Sequence, residues 1–457
     1  NYDFKNKYFL QVSYRRDGQS SLAEDVRFGN FPGASVGWRI SEEGFWQNSG
    51  LVNVIDEFKI RGSYAIVGNT LTGFPYLSTY GPFPYGGLNG IAIDAVGNGA
   101  LQWETNKKID AGFDMSLFKR RLNVTFDWYQ NKNDDLVLAA PLPSSFGIPN
   151  NSIFRNIGNM KNWGYEVTLE GTIMQKRNFS WSANFNYTSA KNEVLSLVNN
   201  QDVVLQGPNN GTYNVLRVGQ SINALYGFVY MGVNSGNGNP LYQKQDAAKT
   251  LVQSNIAGNG YNVANSKDDP ALGAATTLDG ATDRVILGNT IPTWFGGFTN
   301  TFTYKRITLD LFLRYSGGNM IYNQTRQETL LNQGFQNNGV EVLKRWTKPG
   351  DQTDVPKVWI GKNNQINNQS VAISRFVEKG DYVRLQNVVL SYAFDNKALE
   401  QRTKGIVRSL RIFAQGQNLW IKTDYTGIDP DNFSEFGLDN GTVPQPRSFS
   451  IGLNIGF

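Results

Sequence analysis

The sequence predicts an all-β protein, a transmembrane, antiparallel up-and-down β-barrel, and three observations carry that expectation. Stretch after stretch alternates strictly between apolar residues and small or charged ones, and successive side chains of a strand point to opposite faces. The joints between these stretches are by turns short and basic, or long and rich in Gly, Asn and Pro. That is the pattern of a barrel with tight turns on one side of a membrane and long loops on the other. The composition agrees, with 21 Tyr, 28 Phe and 48 Gly among 457 residues, a mix that favours strands and turns.

The elements follow in order. Tyr8, Leu10, Val12 and Tyr14 alternate with Gln11, Ser13 and Arg15, and Ala34, Val36, Trp38 and Ile40 with Ser35, Gly37 and Arg39. Phe58, Ile60 and Tyr64 oppose Lys59, Arg61 and Ser63, and Ile109, Phe113, Met115 and Leu117 oppose Asp110, Asp114 and Ser116. Leu122, Val124, Phe126 and Trp128 face away from Asn123, Thr125 and Asp127, as Trp163, Tyr165, Val167 and Leu169 do from Glu166, Thr168 and Glu170. The same grammar runs through Phe179–Tyr187, Trp294–Tyr304, Ile307–Arg314 and Leu410–Gln415. Tyr382–Phe394 reads as a strand whose two faces the sequence does not separate. At the end of the chain, Phe449, Ile451, Leu453, Ile455 and Phe457 share one parity against Ser448, Ser450, Gly452, Asn454 and Gly456.

The short joints are "FKRR" (118–121), "QKR" (175–177) and "YKR" (304–306); the long ones are expected at 68–100, 130–161, 189–222 and 317–380. "INALYGFVYMGV" (222–233) would spoil the alternation as a membrane strand, so it is expected as β structure within one long external excursion. About twelve spanning strands then remain, an even number.

A soluble β-sandwich also alternates. Against it stand apolar faces that repeat over about ten residues, the length of a tilted membrane strand. Aromatic pairs at strand ends, such as Phe45-Trp46 and Trp128-Tyr129, suit an interfacial girdle. The chain has no His and no Cys, which removes the usual triad base, thiolate chemistry and the commonest transition-metal ligands. Its net charge of +5 is spread along the chain with no polybasic arm, so no nucleic-acid partner is expected.

At this point the residues resemble a known family, the SusC/RagA group of TonB-dependent outer-membrane transporters of Bacteroidetes. The resemblance lies in "YRRDGQSSLAEDVRFGNFPGASVGWRISEEGFW" (14–46), "FKIRGSYAIVGN" (58–69), "LQWETNKKIDAGFDMSLFKRRLNVTFDWYQNKNDDLV" (101–137) and "NIGNMKNWGYEVTL" (156–169). It continues through "DRVILGNTIPTWFGGFTNTFTYK" (283–305), "RFVEKGDYVRLQNVVLSY" (375–392), "LRIFAQGQNLWIKTDYTGIDPD" (410–431) and the terminal strand. It implies that residues 1–457 are the C-terminal portion of a plugged barrel of about 22 strands, with no counterpart here of the plug, the TonB box or the earlier strands. It also implies import of an oligosaccharide or oligopeptide across the outer membrane, energised by TonB, with a SusD-like surface lipoprotein as partner. The alternatives are a self-contained passive porin and a surface β-protein acting as an adhesin.

The resemblance implies no enzyme activity and no cofactor. "LDGATDR" (278–284) has too few acidic ligands for a calcium loop, so no metal is expected. Asp429-Pro430-Asp431-Asn432 reads as a turn held by Asx side chains, with half of a cation site as the other reading. Candidate lumen-facing residues are Arg39, Arg61, Asp114, Asp127, Glu166, Asp310 and Arg314, since charge inside a membrane protein faces water or protein. Tyr76, Tyr80, Phe83 and Tyr85, on a long external loop, are candidate contacts for sugar rings or peptide side chains; equally, that loop could pack its own aromatics or a partner lipoprotein. The last strand, through Phe449, Ile451, Leu453, Ile455 and Phe457, is similar to the family's outer-membrane assembly signal.

Overall fold

The computed structural model describes residues 1–148, 151–206, 212–331, 337–359 and 371–457. Thirteen strands form one antiparallel sheet in chain order: β1 (Tyr2–Phe4), β2 (Tyr8–Gly18), β3 (Phe28–Arg39), β4 (Ile55–Asn69), β5 (Glu104–Leu117), β6 (Leu122–Pro141) and β7 (Ser152–Lys176), then β8 (Phe179–Ser196), β9 (Trp294–Tyr304), β10 (Ile307–Gly317), β11 (Tyr382–Ala393), β12 (Ser409–Thr423) and β13 (Ser448–Gly456). Each pairs with the next, so the connectivity is up-and-down. Setting aside the three-residue β1, twelve long strands remain, matching the sequence expectation. Among the described residues β1 and β13 do not pair with each other, so the sheet stays open.

Register turns local alternation into a two-faced wall. Phe58, Met115, Val124, Leu169, Phe185, Phe298, Leu313, Leu385 and Trp420 lie side by side across nine successive strands, β4 to β12. On the opposite face Arg39, Lys59, Asp114, Thr125, Thr168, Asn186, Gly297, Arg314 and Arg384 form a polar row from β3 to β11. A slip of one residue would carry every apolar side chain to the other face, so the pairing is strongly specified. Val12, Tyr14, Val36, Phe449 and Ile451 are left exposed on the apolar side, as strands bounded by lipid require.

The short-turn side holds the tight joints at 118–121, 177–178 and 305–306. Glu43 gathers that side at β2 and β3, accepting hydrogen bonds from Tyr8 Oη at 2.6 Å, Trp38 Nε1 at 3.1 Å and Lys7 Nζ at 3.2 Å. The other side carries an external domain made from three excursions, 197–293, 318–381 and 424–447. Strand 224–233 pairs antiparallel with 285–288 and parallel with 372–373, and 320–323 pairs with 377–379 and 438–439. Their shared core includes Tyr213, Leu225, Phe228, Tyr242, Tyr322, Ile373, Phe376 and Leu438, all buried. The expectation that 222–233 belongs to an external excursion therefore holds.

Other boundaries differ from those expected. Residues 130–161 are not a long loop: β6 runs to Pro141 and β7 starts at Ser152, paired throughout with register shifts around Leu136. The stretch reads as loop because its Asn and Asp run at 131–135 and its Pro and Ser residues at 141–145 interrupt the alternation. The faces of β11 were illegible because Gln386 is skipped in the pairing. Val383 and Leu385 point to the apolar side before it, Val388, Leu390 and Tyr392 after it, so the alternation changes phase mid-strand.

Candidate functional site

The polar face of the wall gathers the charged side chains. Arg39, Asp114 and Arg314 share one register row; Arg61, Asp127 and Glu166 share the next, and Asp310 lies on the same face opposite Thr301. Arg61 is the hub of the first cluster. Its Nη1 and Nη2 each lie 2.6 Å from an oxygen of Asp127, its Nε 3.3 Å from Asp114 Oδ2 and its Nη1 3.5 Å from Asp110 Oδ1. The Arg61–Asp127 ion pair spans two strand spacings, and Gly112 makes that reach possible. A Cβ on Gly112 would sit 2.3 Å from Asp127 Oδ1. Three carboxylates around one guanidinium leave this patch acidic. Arg39 pairs with Glu57 at 3.4 Å and lies over the Phe9 ring, Asp310 accepts from Thr301 Oγ1 at 2.6 Å, and Glu166 is exposed.

A second cluster joins the wall to the external domain. Arg314 donates two hydrogen bonds to Asp431, at 2.6 and 3.1 Å, and Tyr382 Oη donates to the same carboxylate at 2.8 Å. Arg384, buried, pairs with the buried Asp429. The Asp429 carboxylate also accepts from the backbone N–H groups of Asp431 at 3.0 Å and Gln445 at 3.2 Å. The turn reading of Asp429–Asn432 is thus right as far as it goes. Beyond it, two wall arginines hold this segment against the polar face.

Between that segment and the wall lies a cavity of about 430 Å³, lined among others by Phe295, Phe312, Phe433, Arg314, Asn319 and Tyr382. Phe295 and Phe312 occupy polar-face positions of β9 and β10, in register with Thr188 and Thr299. Gly297 leaves room for them: a Cβ there would meet the Phe312 ring at 2.6 Å. Sequence reading missed this site because both rings fall on the parity assigned to polar residues; that misfit was itself the available signal.

The external aromatics are not brought together. Tyr80 is on a small hairpin of 79–82 with 91–95, Phe83 and Tyr85 just beyond its first strand, and all three rings are exposed, Tyr85 at 83%. Tyr76 is half-buried and next to Phe74, with ring centroids 6.5 Å apart. Leu101 is buried and Trp103 packs edge-on against Phe31, fixing the base of the loop. In β13, Phe449, Ile451, Leu453 and Ile455 continue the apolar rows of β12, while Gly452 lies under the Phe413 ring. Phe457 is exposed.

The external domain is electrostatically tied. Burial pushes the hydroxyls of Tyr213 and Tyr425 far above the ordinary tyrosine range, helped by Glu328 beside the first and Asp439 beside the second. Burial also raises Tyr261, to about 12. Glu341 is held below the usual carboxylate range by its hydrogen bonds from Arg326, at 2.5 and 2.8 Å.

A wall with one apolar and one polar face, tight turns at one rim and a packed domain at the other, defines the class: an integral outer-membrane β-barrel wall. The family model for the TonB dependent receptor-like β-barrel matches residues 1–419, and the chain belongs to that family. TonB-dependent receptor P39 of Formosa agariphila is 33% identical over all of this chain and 45% of its own length. The TonB-dependent receptor SusC of Bacteroides thetaiotaomicron is 27% identical over all of this chain and 43% of its own. The chain therefore spans about half the length of the curated relatives it matches. The fold is shared with the RagAB peptide transporter, with a TM-score of 0.80 at 22% identity over 99% of this chain and 46% of that one. The "open-open" state of the RagAB peptide importer aligns with a TM-score of 0.81 at 23% identity, over 100% and 46%.

Proposed function

We propose that this chain is part of the wall and outer vestibule of a TonB-energised importer of oligosaccharide or oligopeptide nutrients. The observation that carries the reading is the wall itself, open at both edges, lipid-compatible on one face and lined with paired charges on the other. An edge left open in hydrocarbon strands backbone N–H and C=O groups without partners, so further strands of the same protein would complete the barrel. A plug would then fill its lumen against the Arg61 and Arg314 rows, and TonB would act on that plug through a TonB box outside this chain. The polar face, with Arg39, Arg61, Asp114, Asp127, Glu166, Asp310 and Arg314, is the lumen lining in this reading.

A SusD-like lipoprotein would seat on the long-loop side, where Tyr80, Phe83 and Tyr85 stand free of the wall and could touch either that partner or cargo. The apolar row of β13, ending at Phe457, would serve as the outer-membrane assembly signal. The chain's role is conduction and binding rather than catalysis.

The test is purification of the native protein from outer membranes in mild detergent. The expected result is a polypeptide about twice this length with a co-purifying surface lipoprotein, whose deletion together with that of TonB abolishes uptake. A barrel that conducts small solutes without TonB would instead establish a passive porin. A product soluble without detergent would establish an adhesin.

A further inference from the structure

The cavity beneath the external domain differs from the rest of the polar face, and its chemistry narrows the cargo. Resting on the importer reading above, we propose that it is a cargo subsite for short peptides, taking an apolar or aromatic peptide side chain. Three phenylalanines, Phe295 and Phe312 from the wall and Phe433 from the loop above, converge there with Ile291 and Pro292. Phe295 is left 42% exposed although it stands on the polar parity. Phenylalanine rings carry no polar handle. A sugar ring needs, besides a stacking face, several side-chain acceptors and donors at its edge to replace the water on its hydroxyls; the alternative is the cost of buried, unpaired polar groups.

The cavity supplies few such groups. The Asp431 carboxylate is already engaged by Arg314 and Tyr382. What remains are the Arg314 guanidinium, the side-chain amides of Asn186 and Asn319 and the Ser316 hydroxyl. Arg314 is partly exposed and has five N–H groups, of which the Asp431 pair engages two. The side-chain nitrogen of Asn319, on the cavity wall, has no hydrogen-bond partner. A guanidinium and two amides beside an apolar pocket match a peptide, which offers backbone carbonyls and N–H groups next to a hydrophobic side chain. A volume of about 430 Å³ holds one large side chain with its flanking backbone.

The experiment uses the full-length protein, purified from outer membranes with whatever co-purifies and exposed in parallel to a tryptic digest of casein and to a maltodextrin mixture. Bound material is eluted and identified by mass spectrometry. Peptides should be retained, enriched in Phe, Leu, Ile and Tyr over the input, and maltodextrins should not. Phe312→Ala and, on the loop rather than the wall, Phe433→Ala should each weaken retention of the enriched peptides at least about tenfold, the scale of one lost buried apolar contact. Heat-modified gel mobility checks that each variant barrel is assembled. Retention of maltodextrins alone would overturn the peptide assignment and leave the importer reading standing. Peptide retention unchanged in both assembled variants would overturn the subsite. Retention of neither, by an assembled protein that shows no TonB-dependent uptake, would overturn both readings.

Discussion

The wall and the external domain are built from the same residue types turned in opposite directions. In the wall, Tyr14, Val36, Phe449 and Ile451 are more than half exposed, and the polar side chains face one another across the other surface. In the external domain Tyr213, Tyr242, Tyr322 and Phe376 are almost wholly buried. The difference lies in the solvent. Water drives apolar surface inward, whereas lipid tails are as apolar as the side chains they touch and exert no such drive. The stability of the external domain should therefore depend on packing, and that of the wall on pairing, register and satisfied polar groups.

Substitutions separate the two regimes. The largest effect is expected from Phe376→Ala, which opens a cavity in the external core and should cost that domain about 3–5 kcal/mol. Hydrogen exchange should show faster exchange at 224–233 and 320–323 with the wall amides still protected; a loss of wall protection would break the comparison. Asp429→Ala leaves Arg384 buried without its partner, a defect worth up to about 3–5 kcal/mol. It sits where the two regions meet, so proteolysis should release the 424–447 segment first.

On the apolar face, Leu311→Arg should cost about 2–4 kcal/mol at mid-membrane, read as a lower unfolding midpoint in urea from lipid bilayers. Leu311→Ala at the same position should barely move it, in contrast to Phe376→Ala. The smallest effect is acid loosening of the external domain. Glu341 has a depressed folded pKa, so its pairing with Arg326 stabilises fully above the unfolded value of about 4.3. That contribution, at most about 1 kcal/mol for a partly exposed pair, is lost as pH falls through the folded pKa. Glu341→Gln should flatten exchange rates measured from neutral pH downward, with no matching change in the wall.

The wall was largely legible in the sequence because its two environments print opposite parities. The charged residues picked from the polar parity do share one face, and three of them, Arg61, Asp114 and Asp127, form a single cluster. Their hub needed Gly112, whose role depends on which residue lies between Arg61 and Asp127 and is invisible before the register is known. The strand at 224–233, "ALYGFVYMGV", lacks clean alternation because both its faces are covered. The Arg384–Asp429 and Arg314–Asp431 pairs link residues 45 and 117 positions apart, and nothing local announces either. The phenylalanine cavity was hidden by the rule that exposed the wall, since Phe295 and Phe312 break parity.

The external domain draws its contacts from far along the chain. Asn214 Nδ2 donates to the Phe436 carbonyl across 222 positions, and Tyr213 Oη to Glu328 across 115. Closing such loops from a disordered chain is slow, because their entropy is lost before any contact forms. Once β8 to β13 are paired, the same segments start from fixed neighbouring anchors and have little distance left to search. The expected order is strands first and cap last. A wall laid down out of step would leave the three excursions unable to meet and open to proteolysis.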